Sequence, residues 1–121
     1  MTTSLFADEP ESNPERSTRV LIVGAGPVGQ TLDRALSHVG FRVRSWSRSH
    51  GPLWAEGSTQ TAADIVILAV RDDAISQAAE YIVGHGGADA GSVVLHCAGG
   101  RPPSQVLSAI RSQVKGIGLL H

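Results

Sequence analysis

The stretch RVLIVGAGPVG, residues 19–29, decides the fold of this 121-residue chain. Its first five residues are apolar and β-branched, which is typical of a buried parallel strand. Its last six residues fit the pattern G-x-G-x-x-G and lead into residues 28–39, where apolar side chains recur with the period of a helix. A strand, a glycine turn and a helix in this order are the setting in which the glycine pattern indicates a dinucleotide site.

The composition excludes several other classes of protein. Glycine occurs 14 times, about 12% against a usual 7%, but without the three-residue period of collagen. No apolar run is long enough for a transmembrane helix, and a single cysteine allows neither an internal disulfide nor a cysteine-rich zinc site. The net charge of −1 gives no reason to expect nucleic acid or membrane as partners. We therefore expect one cytoplasmic, globular domain.

Residues 1–18 differ in composition from the rest of the chain. They hold four acids, one arginine and two prolines, with few large apolar residues. This composition predicts a disordered tail, and it lacks the basic start and apolar stretch of a signal peptide. The nucleotide-binding domain is accordingly predicted to occupy residues 19–121.

Strand and helix patterns alternate along residues 19–121. Strands are predicted at residues 19–23, 41–46, 64–70, 92–96 and 116–120. Helices are predicted from residue 28 to Gly40, from 75 to 83 with Asp72 or Asp73 as the cap, and from Pro102–Pro103 to about 114. The alternation predicts an α/β protein with a Rossmann-like, doubly wound parallel sheet in three αβα layers.

The three glycines of the fingerprint have different expected tasks. Gly24 would permit the tight turn, Gly26 would let a pyrophosphate approach the backbone, and Gly29 would let the helix pack on the strand. Pro27 fits the first helical turn, where it loses no needed hydrogen bond. The amino end of the helix then offers free N–H groups to phosphate. The alternative is a glycine turn in an α/β domain that binds nothing.

The residues after the second predicted strand favour NADP over NAD. An NAD site usually ends this strand with an acid that binds the ribose hydroxyls, but no acid occurs between Asp33 and Glu56. Ser47, Arg48 and Ser49 stand there instead. A guanidinium can bind a 2′-phosphate through two hydrogen bonds, and serines can donate to it. The alternative for Arg48 is a solvated loop arginine.

Two further strands end in residues that would reach the same edge of the sheet. Ala69, Val70 and Arg71 stand at the carboxyl end of the most apolar strand and could border the ribose and nicotinamide, although an ion pair with a nearby acid is the simpler role for Arg71. His96, Cys97 and Gly99 follow the next strand. Adjacent strand residues point to opposite faces, so a His96–Cys97 catalytic pair is not expected. No histidine spacing indicates a metal site.

The segments GAGPVG, SWSRS, ADIVILAVRDDAI, VVLHCAGG and GIGLLH occur here in an order that resembles one protein family. It is the Rossmann-like NADP-binding domain of bacterial proteins whose second, helical domain has no known function. That group is similar to pyrroline-5-carboxylate reductase, deazaflavin-dependent NADP reductases and β-hydroxyacid dehydrogenases. The family usually has proline where Arg71 stands, and its second domain is missing from residues 19–121.

The resemblance implies an NADP-dependent oxidoreductase acting on a small-molecule substrate, incomplete without the second domain. In related reductases that domain supplies much of the substrate pocket and the dimer interface, which leaves a homodimer open. The alternatives are a non-catalytic dinucleotide-binding module and a scaffold that has lost binding. The residues expected to contact the cofactor are Gly24, Ala25, Gly26, Pro27, Val28, Gly29, Ser47, Arg48, Ser49, Ala69, Val70, Arg71, His96, Cys97 and Gly99.

Overall fold

The computed structural model describes residues 18–54 and 61–120, in which five strands alternate with three α-helices. The strands are β1 (Arg19–Val23), β2 (Arg42–Trp46), β3 (Ile65–Leu68), β4 (Val93–His96) and β5 (Gly116–Leu119). The helices are α1 (Pro27–His38), α2 (Ile75–Gly84) and α3 (Pro103–Val106), and 3-10 turns cover Arg48–His50, Asp72–Ala74 and Ser108–Gln113. The predicted tail lies outside the described residues, apart from Thr18.

All five strands are parallel, in the order β2-β1-β3-β4-β5. The chain moves from β1 outward to β2 and then returns across the sheet to β3 on the other side of β1. The winding direction therefore reverses between β1 and β3, which is the switch point where open α/β sheets form a ligand crevice.

The register brings the carboxyl ends of the strands to one level. Val23 pairs with both Trp46 and Leu68, Leu68 pairs with His96, and His96 pairs with Leu119. The residues that follow these five therefore form a row along the carboxyl edge of the sheet. That row consists of Gly24, Ser47, Ala69, Cys97 and Leu120.

Helices lie on both faces of the sheet, and the two faces are covered unequally. On one face, which we call the α2 face, α2, α3 and the turn at Ser108–Gln113 pack on a core of 17 buried residues that includes Leu21, Leu68 and Val94. On the opposite α1 face, α1 packs on a cluster with only three buried members, Val20, Ile22 and Ile67. The predicted Rossmann-like, doubly wound α/β fold in three layers is confirmed.

The predicted apolar stripe of α1 is only partly buried. Leu32 and Leu36 pack against the sheet, but Ala35 is exposed, and Val28 and Val39 are 56% and 67% exposed. Helical period places these five side chains on one stripe, yet one helix on a sparsely covered face buries only the middle of it. The expectation that Gly40 follows the helix end is met, since Gly40 has a φ of 101° and α1 ends at His38.

Two predictions about the later helices were wrong. Neither Asp72 nor Asp73 caps α2, because both lie in a 3-10 turn and α2 begins after Ala74 without a side-chain cap. The helix expected to reach residue 114 stops as an α-helix at Val106. There the Ser108 hydroxyl donates to the carbonyl of Gln105 at 3.2 Å, in competition with the backbone bond of an α-helix. The remaining residues form the turn Ser108–Gln113.

Candidate functional site

A cavity of about 370 Å³ opens at the switch point between β1 and β3, and we call it the first cavity. Its walls come from the glycine turn, the ends of β2 and β3, and one side of α2. The lining residues are Val23, Gly24, Ala25, Gly26, Trp46, Ser47, Arg48, Ala69, Val70, Arg71, Ala74, Gln77, Ala78 and Tyr81. No carboxylate is among these lining residues, so the charged groups at this cavity are cationic.

Gly24 is wedged between the ends of β2 and β3. Its N–H donates to the carbonyl of Trp46 at 2.8 Å, and its φ is 133°. A Cβ atom at this position would lie 2.2 Å from the carbonyl oxygen of Ala69. Glycine is therefore required by the junction of three strands as well as by the turn itself.

The other two glycines of the fingerprint have the space expected of them. A Cβ on Gly26 would meet nothing within 4 Å, so ligand atoms can come close to the backbone there. A Cβ on Gly29 would lie 3.2 Å from the carbonyl oxygen of Gly24, which shows how closely α1 approaches β1. Pro27 stands in the first turn of α1, whose start holds no acidic residue and no side-chain cap. The amino end of α1 therefore presents free N–H groups and a partial positive charge.

Ser47 and Arg48 stand where β2 ends at the first cavity. Ser47 is only 9% exposed, and its hydroxyl lies 2.9 Å from Ser49 Oγ and 3.0 Å from His50 Nδ1. Arg48 lines the cavity and its side chain is exposed. The turn Arg48–His50 thus places one guanidinium and two hydroxyls at the end of β2.

An aromatic stack of Trp46 and Tyr81 forms one wall of the first cavity, between the end of β2 and α2. The rings of Trp46 and Tyr81 are parallel to within 5°, with their centroids 5.1 Å apart, and Tyr81 also stacks on His85. Trp46 Nε1 donates to the carbonyl of Gly51, and the Tyr81 hydroxyl accepts from the backbone N–H of Leu53. Each ring is therefore anchored by its backbone at one end and by a hydrogen bond at the other, which fixes the position of this apolar wall.

Arg71 lines the first cavity from the β3 side, with its guanidinium paired to a neighbour. Its Nη2 donates to Asp73 Oδ2 at 2.9 Å, and both side chains are largely exposed. The surface ion pair expected for Arg71 is confirmed. Such a pair contributes about 0–1 kcal/mol, so it leaves Arg71 free to turn toward an anion in the cavity.

A second cavity, of about 500 Å³, lies on the α1 face at the ends of β4 and β5. Its lining residues are Pro27, Val28, Thr31, Leu32, Cys97, Gly99 and Leu120. Gly24, Ala25 and Gly26 of the glycine turn line the first cavity, and Pro27 and Val28 at the start of α1 line the second. Unlike the first cavity, the second has no charged side chain in its lining.

His96 and Cys97 point to opposite faces of the sheet, as expected. His96 is fully buried on the α2 face, where its Nδ1 accepts the N–H of Ala98 at 3.0 Å, and burial lowers the pKa of its ring. His96 Nε2 has no hydrogen-bond partner within the part of the chain that the structure describes. Cys97 is half-buried on the α1 face and lines the second cavity, and burial raises the pKa of its thiol. A neutral imidazole and a protonated thiol on opposite faces cannot act as a nucleophile pair.

The structure divides the fifteen sequence-level candidates among three places. The first cavity takes Gly24, Ala25, Gly26, Ser47, Arg48, Ala69, Val70 and Arg71, and the second takes Pro27, Val28, Cys97 and Gly99. Gly29, Ser49 and His96 line neither. For Gly29 and His96 the reason is burial, since both side-chain positions face the protein interior.

Sequence reasoning missed the contribution of α2 to the first cavity. Ala74, Gln77, Ala78 and Tyr81 line it, at the spacing i, i+3, i+4, i+7 of one helical stripe. This stripe lies beside the core stripe of Ile75, Ala79 and Ile82. The sequence signal for this contribution was the second helical stripe beside the core stripe. It becomes informative once β3 is known to lie next to β1, because α2 follows β3 in the chain.

The described residues offer neither a metal-ion site nor a membrane-spanning helix. Among residues 18–54 and 61–120, no three His, Cys, Asp or Glu side chains come together in a way that could hold a metal ion. No helix in the same ranges has the length and apolar character needed to cross a membrane.

Comparison with known proteins identifies relatives by structure alone. No model of a known protein family matches the chain, and no curated protein matches it either. Three solved structures superpose on at least 91% of the chain. A Klebsiella pneumoniae protein of the D-isomer specific 2-hydroxyacid dehydrogenase family has a TM-score of 0.56 at 21% identity. The NADPH-dependent glyoxylate/hydroxypyruvate reductase of Sinorhizobium meliloti has 0.52 at 21%, and a Thermus thermophilus protein has 0.54 at 18%.

These likenesses, at 21% identity or less, support the fold. The chain spans 41%, 52% and 40% of the Klebsiella, Sinorhizobium and Thermus proteins, so it corresponds to roughly half of each or less. The comparisons give no support to pyrroline-5-carboxylate reductase or deazaflavin-dependent reductases, which the sequence resemblance named. A strand followed by G-x-G-x-x-G is common to many dinucleotide-binding domains, so this motif does not distinguish one such family from another.

Proposed function

We propose that residues 19–121 form the NADP(H)-binding domain of an oxidoreductase that transfers hydride to or from a small-molecule substrate. The observation that carries the proposal is the first cavity, where the glycine turn at the β1–β3 switch point faces Ser47 and Arg48. The NADPH dependence named for the Sinorhizobium reductase is consistent with this cofactor. Hydride transfer is the chemistry that the bound nicotinamide supplies, and the chain provides binding and orientation.

The glycine turn is suited to hold the pyrophosphate. The open space at Gly26 lets phosphate oxygens come within hydrogen-bond distance of the backbone, and the first turn of α1 has no acid to repel them. Because Pro27 has no N–H, the groups that remain to donate are those of Val28 and Gly29. The macrodipole of a 12-residue helix adds a favourable field at the same place.

The first cavity is suited to hold the adenosine half. Val70, Ala74 and Ala78 give it apolar walls, and the Trp46–Tyr81 stack adds an aromatic wall beside the end of β2. Arg48 and Ser47 stand at its rim beside the end of β2, where the 2′-position of the adenosine ribose is expected. A planar guanidinium with adjacent hydroxyls is the chemistry that recognises a phosphate monoester, which favours NADP over NAD.

The second cavity is suited to hold the nicotinamide half. It begins at Pro27 and Val28, on the other side of the pyrophosphate turn, and its lining is apolar. The thiol of Cys97 stays protonated near neutral pH because burial raises its pKa, so it does not react as a nucleophile there. Apolar walls keep water away from the hydride-transferring carbon.

The second cavity has no general acid or base of its own among the described residues. Reduction of a carbonyl needs a proton as well as a hydride, and none of the lining residues Pro27 to Leu120 can exchange one near pH 7. The proton donor and the substrate pocket would therefore come from outside the described residues, either from another part of the chain or from a partner. The same observation favours a second candidate, a dinucleotide-binding module without catalysis of its own.

Calorimetric titration with NADPH and NADH tests the cofactor assignment. We expect the chain to prefer NADPH, and Arg48→Ala to weaken NADPH binding by roughly 10- to 100-fold, the value of a hydrogen bond to a charged group. NADH affinity should change less than about twofold, since NADH offers Arg48 no phosphate. The matched control is Arg111→Ala, which removes an exposed arginine from the turn between α3 and β5.

Three outcomes would contradict parts of the proposal. Binding of neither cofactor would leave a scaffold without a ligand, and tighter binding of NADH would remove the argument from Arg48. Equal losses for both cofactors in Arg48→Ala would show that Arg48 does not read the 2′-phosphate. Oxidation of NADPH in the presence of a 2-oxoacid such as glyoxylate, by the chain joined to any natural continuation, would support the enzyme. Binding of NADPH without its oxidation would support the non-catalytic module.

A further inference from the structure

The hydroxyl of Ser47 lies between two groups that compete for its single proton. Ser49 Oγ is 2.9 Å away and His50 Nδ1 is 3.0 Å away, while the serine itself is 9% exposed. A serine hydroxyl can donate one hydrogen bond and accept others. The direction in which protons run along Ser49, Ser47 and His50 therefore depends on the state of the histidine.

Two arrangements of these three groups are possible. When His50 Nδ1 carries no proton, Ser47 must donate to it and Ser49 donates to Ser47, so both hydroxyl protons are used within the turn. When Nδ1 carries a proton, it donates to Ser47, and one of the two serine hydroxyls becomes free to donate outward. Because Ser47 and Arg48 both line the first cavity, a hydroxyl proton freed on Ser47 can be donated to a ligand there.

We propose that His50 is a positioning residue for the 2′-phosphate, acting through Ser47 by taking up a proton when NADPH binds. The inference rests on the proposed function and goes beyond it by naming a proton-coupled source of the preference for NADPH over NADH. Nδ1 carries a proton both in the cationic ring and in one neutral tautomer, and an anion beside Arg48 favours the cationic ring together with a free hydroxyl donor. A proton from solvent forms the second N–H bond of the exposed His50 ring, and no other covalent bond changes.

The surroundings of the turn favour this response to an anion. His50 lies outside the lining of the first cavity, whose charged or titratable side chains are Arg48 on the same turn, Arg71 at the end of β3 and Tyr81 on α2. Arg71 is paired with Asp73, and none of the lining residues is a carboxylate. A phosphate would be the anion that balances Arg48 and protonated His50, and NADH, which lacks that phosphate, does not offer it.

The test compares the NADPH-to-NADH affinity ratio at about pH 8 and about pH 6, a range in which histidine changes charge. The 2′-phosphate also titrates near pH 6, so each measurement is read against His50→Gln, which retains that contribution. We expect the ratio of the wild-type chain to rise by about tenfold relative to His50→Gln on acidification. Calorimetry in two buffers of different ionisation enthalpy should show that NADPH binding takes up more protons in the wild type.

Two matched variants complete the experiment. Ser47→Ala should abolish the difference that His50 makes, because the histidine acts through this hydroxyl. His38→Gln, at the far end of α1 and equally exposed, should behave as the wild type. Identical pH profiles and proton uptake in the wild type and His50→Gln would overturn the inference, and so would a His50 effect that survives Ser47→Ala. If neither cofactor bound even at about pH 8, the proposed function itself would have failed.

Discussion

The two faces of the sheet differ in how much of the fold each supports. On the α2 face, 17 buried residues connect the sheet with α2, α3 and the turn that follows. On the α1 face only Val20, Ile22 and Ile67 are buried, and the apolar side chains around them, among them Leu95 and Leu120, are half-exposed. The first cavity takes its aromatic wall from the well-packed face, and the second opens on the sparse one. The better-packed α2 face therefore supports the first cavity, where the adenosine half is proposed to bind. The less densely covered α1 face borders the second cavity, where a substrate would enter.

The largest effect is expected at Gly24, which lines the first cavity and lies against the ends of β2 and β3. Gly24→Ala would place a methyl group 2.2 Å from the carbonyl oxygen of Ala69 at a φ of 133°, so we expect the free energy of unfolding to fall by about 3 kcal/mol or more. Urea unfolding followed by tryptophan fluorescence measures this. If the variant unfolded at the wild-type urea concentration, Gly24 would not be wedged between the ends of β2 and β3.

Gly26→Ala is the matched control for Gly24. It has an extended φ of −80° and nothing within 4 Å of its Cβ position, so its unfolding free energy should stay within about 0.5 kcal/mol of the wild type. NADPH binding should nevertheless weaken by roughly tenfold or more, because the methyl group would occupy the space proposed for phosphate. Gly24 would then be required for stability, and Gly26 for ligand binding.

The next effect compares one leucine from each face. Leu107→Ala, with a fully buried side chain on the α2 face, should reduce the free energy of unfolding by about 3 kcal/mol. Leu95→Ala, half-exposed on the α1 face, should reduce it by about 1 kcal/mol, since less apolar area leaves water there on folding. Equal losses in the same urea titration would mean that another part of the chain or a partner covers the α1 face in solution.

The same asymmetry explains which features could be predicted from the sequence. The pattern of residues 19–29 specifies a strand, a turn and a helix locally, and the apolar runs of β3 and β4 specify the parallel sheet. Helical period also predicted a helix from residue 75 to 83, and α2 spans Ile75–Gly84. It could not tell that the stripe of α1, from Val28 to Val39, would be buried only in its middle, because period reports direction and says nothing about how many elements cover a face.

The site shows the same limit more clearly. Ser47, Arg48 and Ala69 were identified because each directly follows a strand, and parallel strands end at one edge. Trp46 and Tyr81 were missed because their stacking is a tertiary contact between β2 and α2 with no local signature. Asp73 was expected to cap a helix, but the 3-10 turn before α2 placed its carboxylate against Arg71. Contacts between elements distant in sequence decided the details, and single-sequence patterns do not encode them.

The smallest expected effect concerns His96, which lies on the well-packed face while its neighbour Cys97 lies on the other. Because burial lowers the pKa of His96 in the folded chain, the unfolded chain binds a proton more readily below the ordinary histidine value of 6.5. The contribution of His96 to the unfolding free energy should therefore be fully present near pH 7.5. Protonation of this residue in the unfolded chain should lower the unfolding free energy by about 1 kcal/mol toward pH 5.5. His96→Asn keeps an acceptor for the N–H of Ala98 but removes the titrating group, so this part of the acid dependence should disappear in its urea titrations. A pH slope unchanged by the substitution would show that the folded chain admits a proton to His96, and that the α2 face is less tightly closed at β4 than its packing indicates.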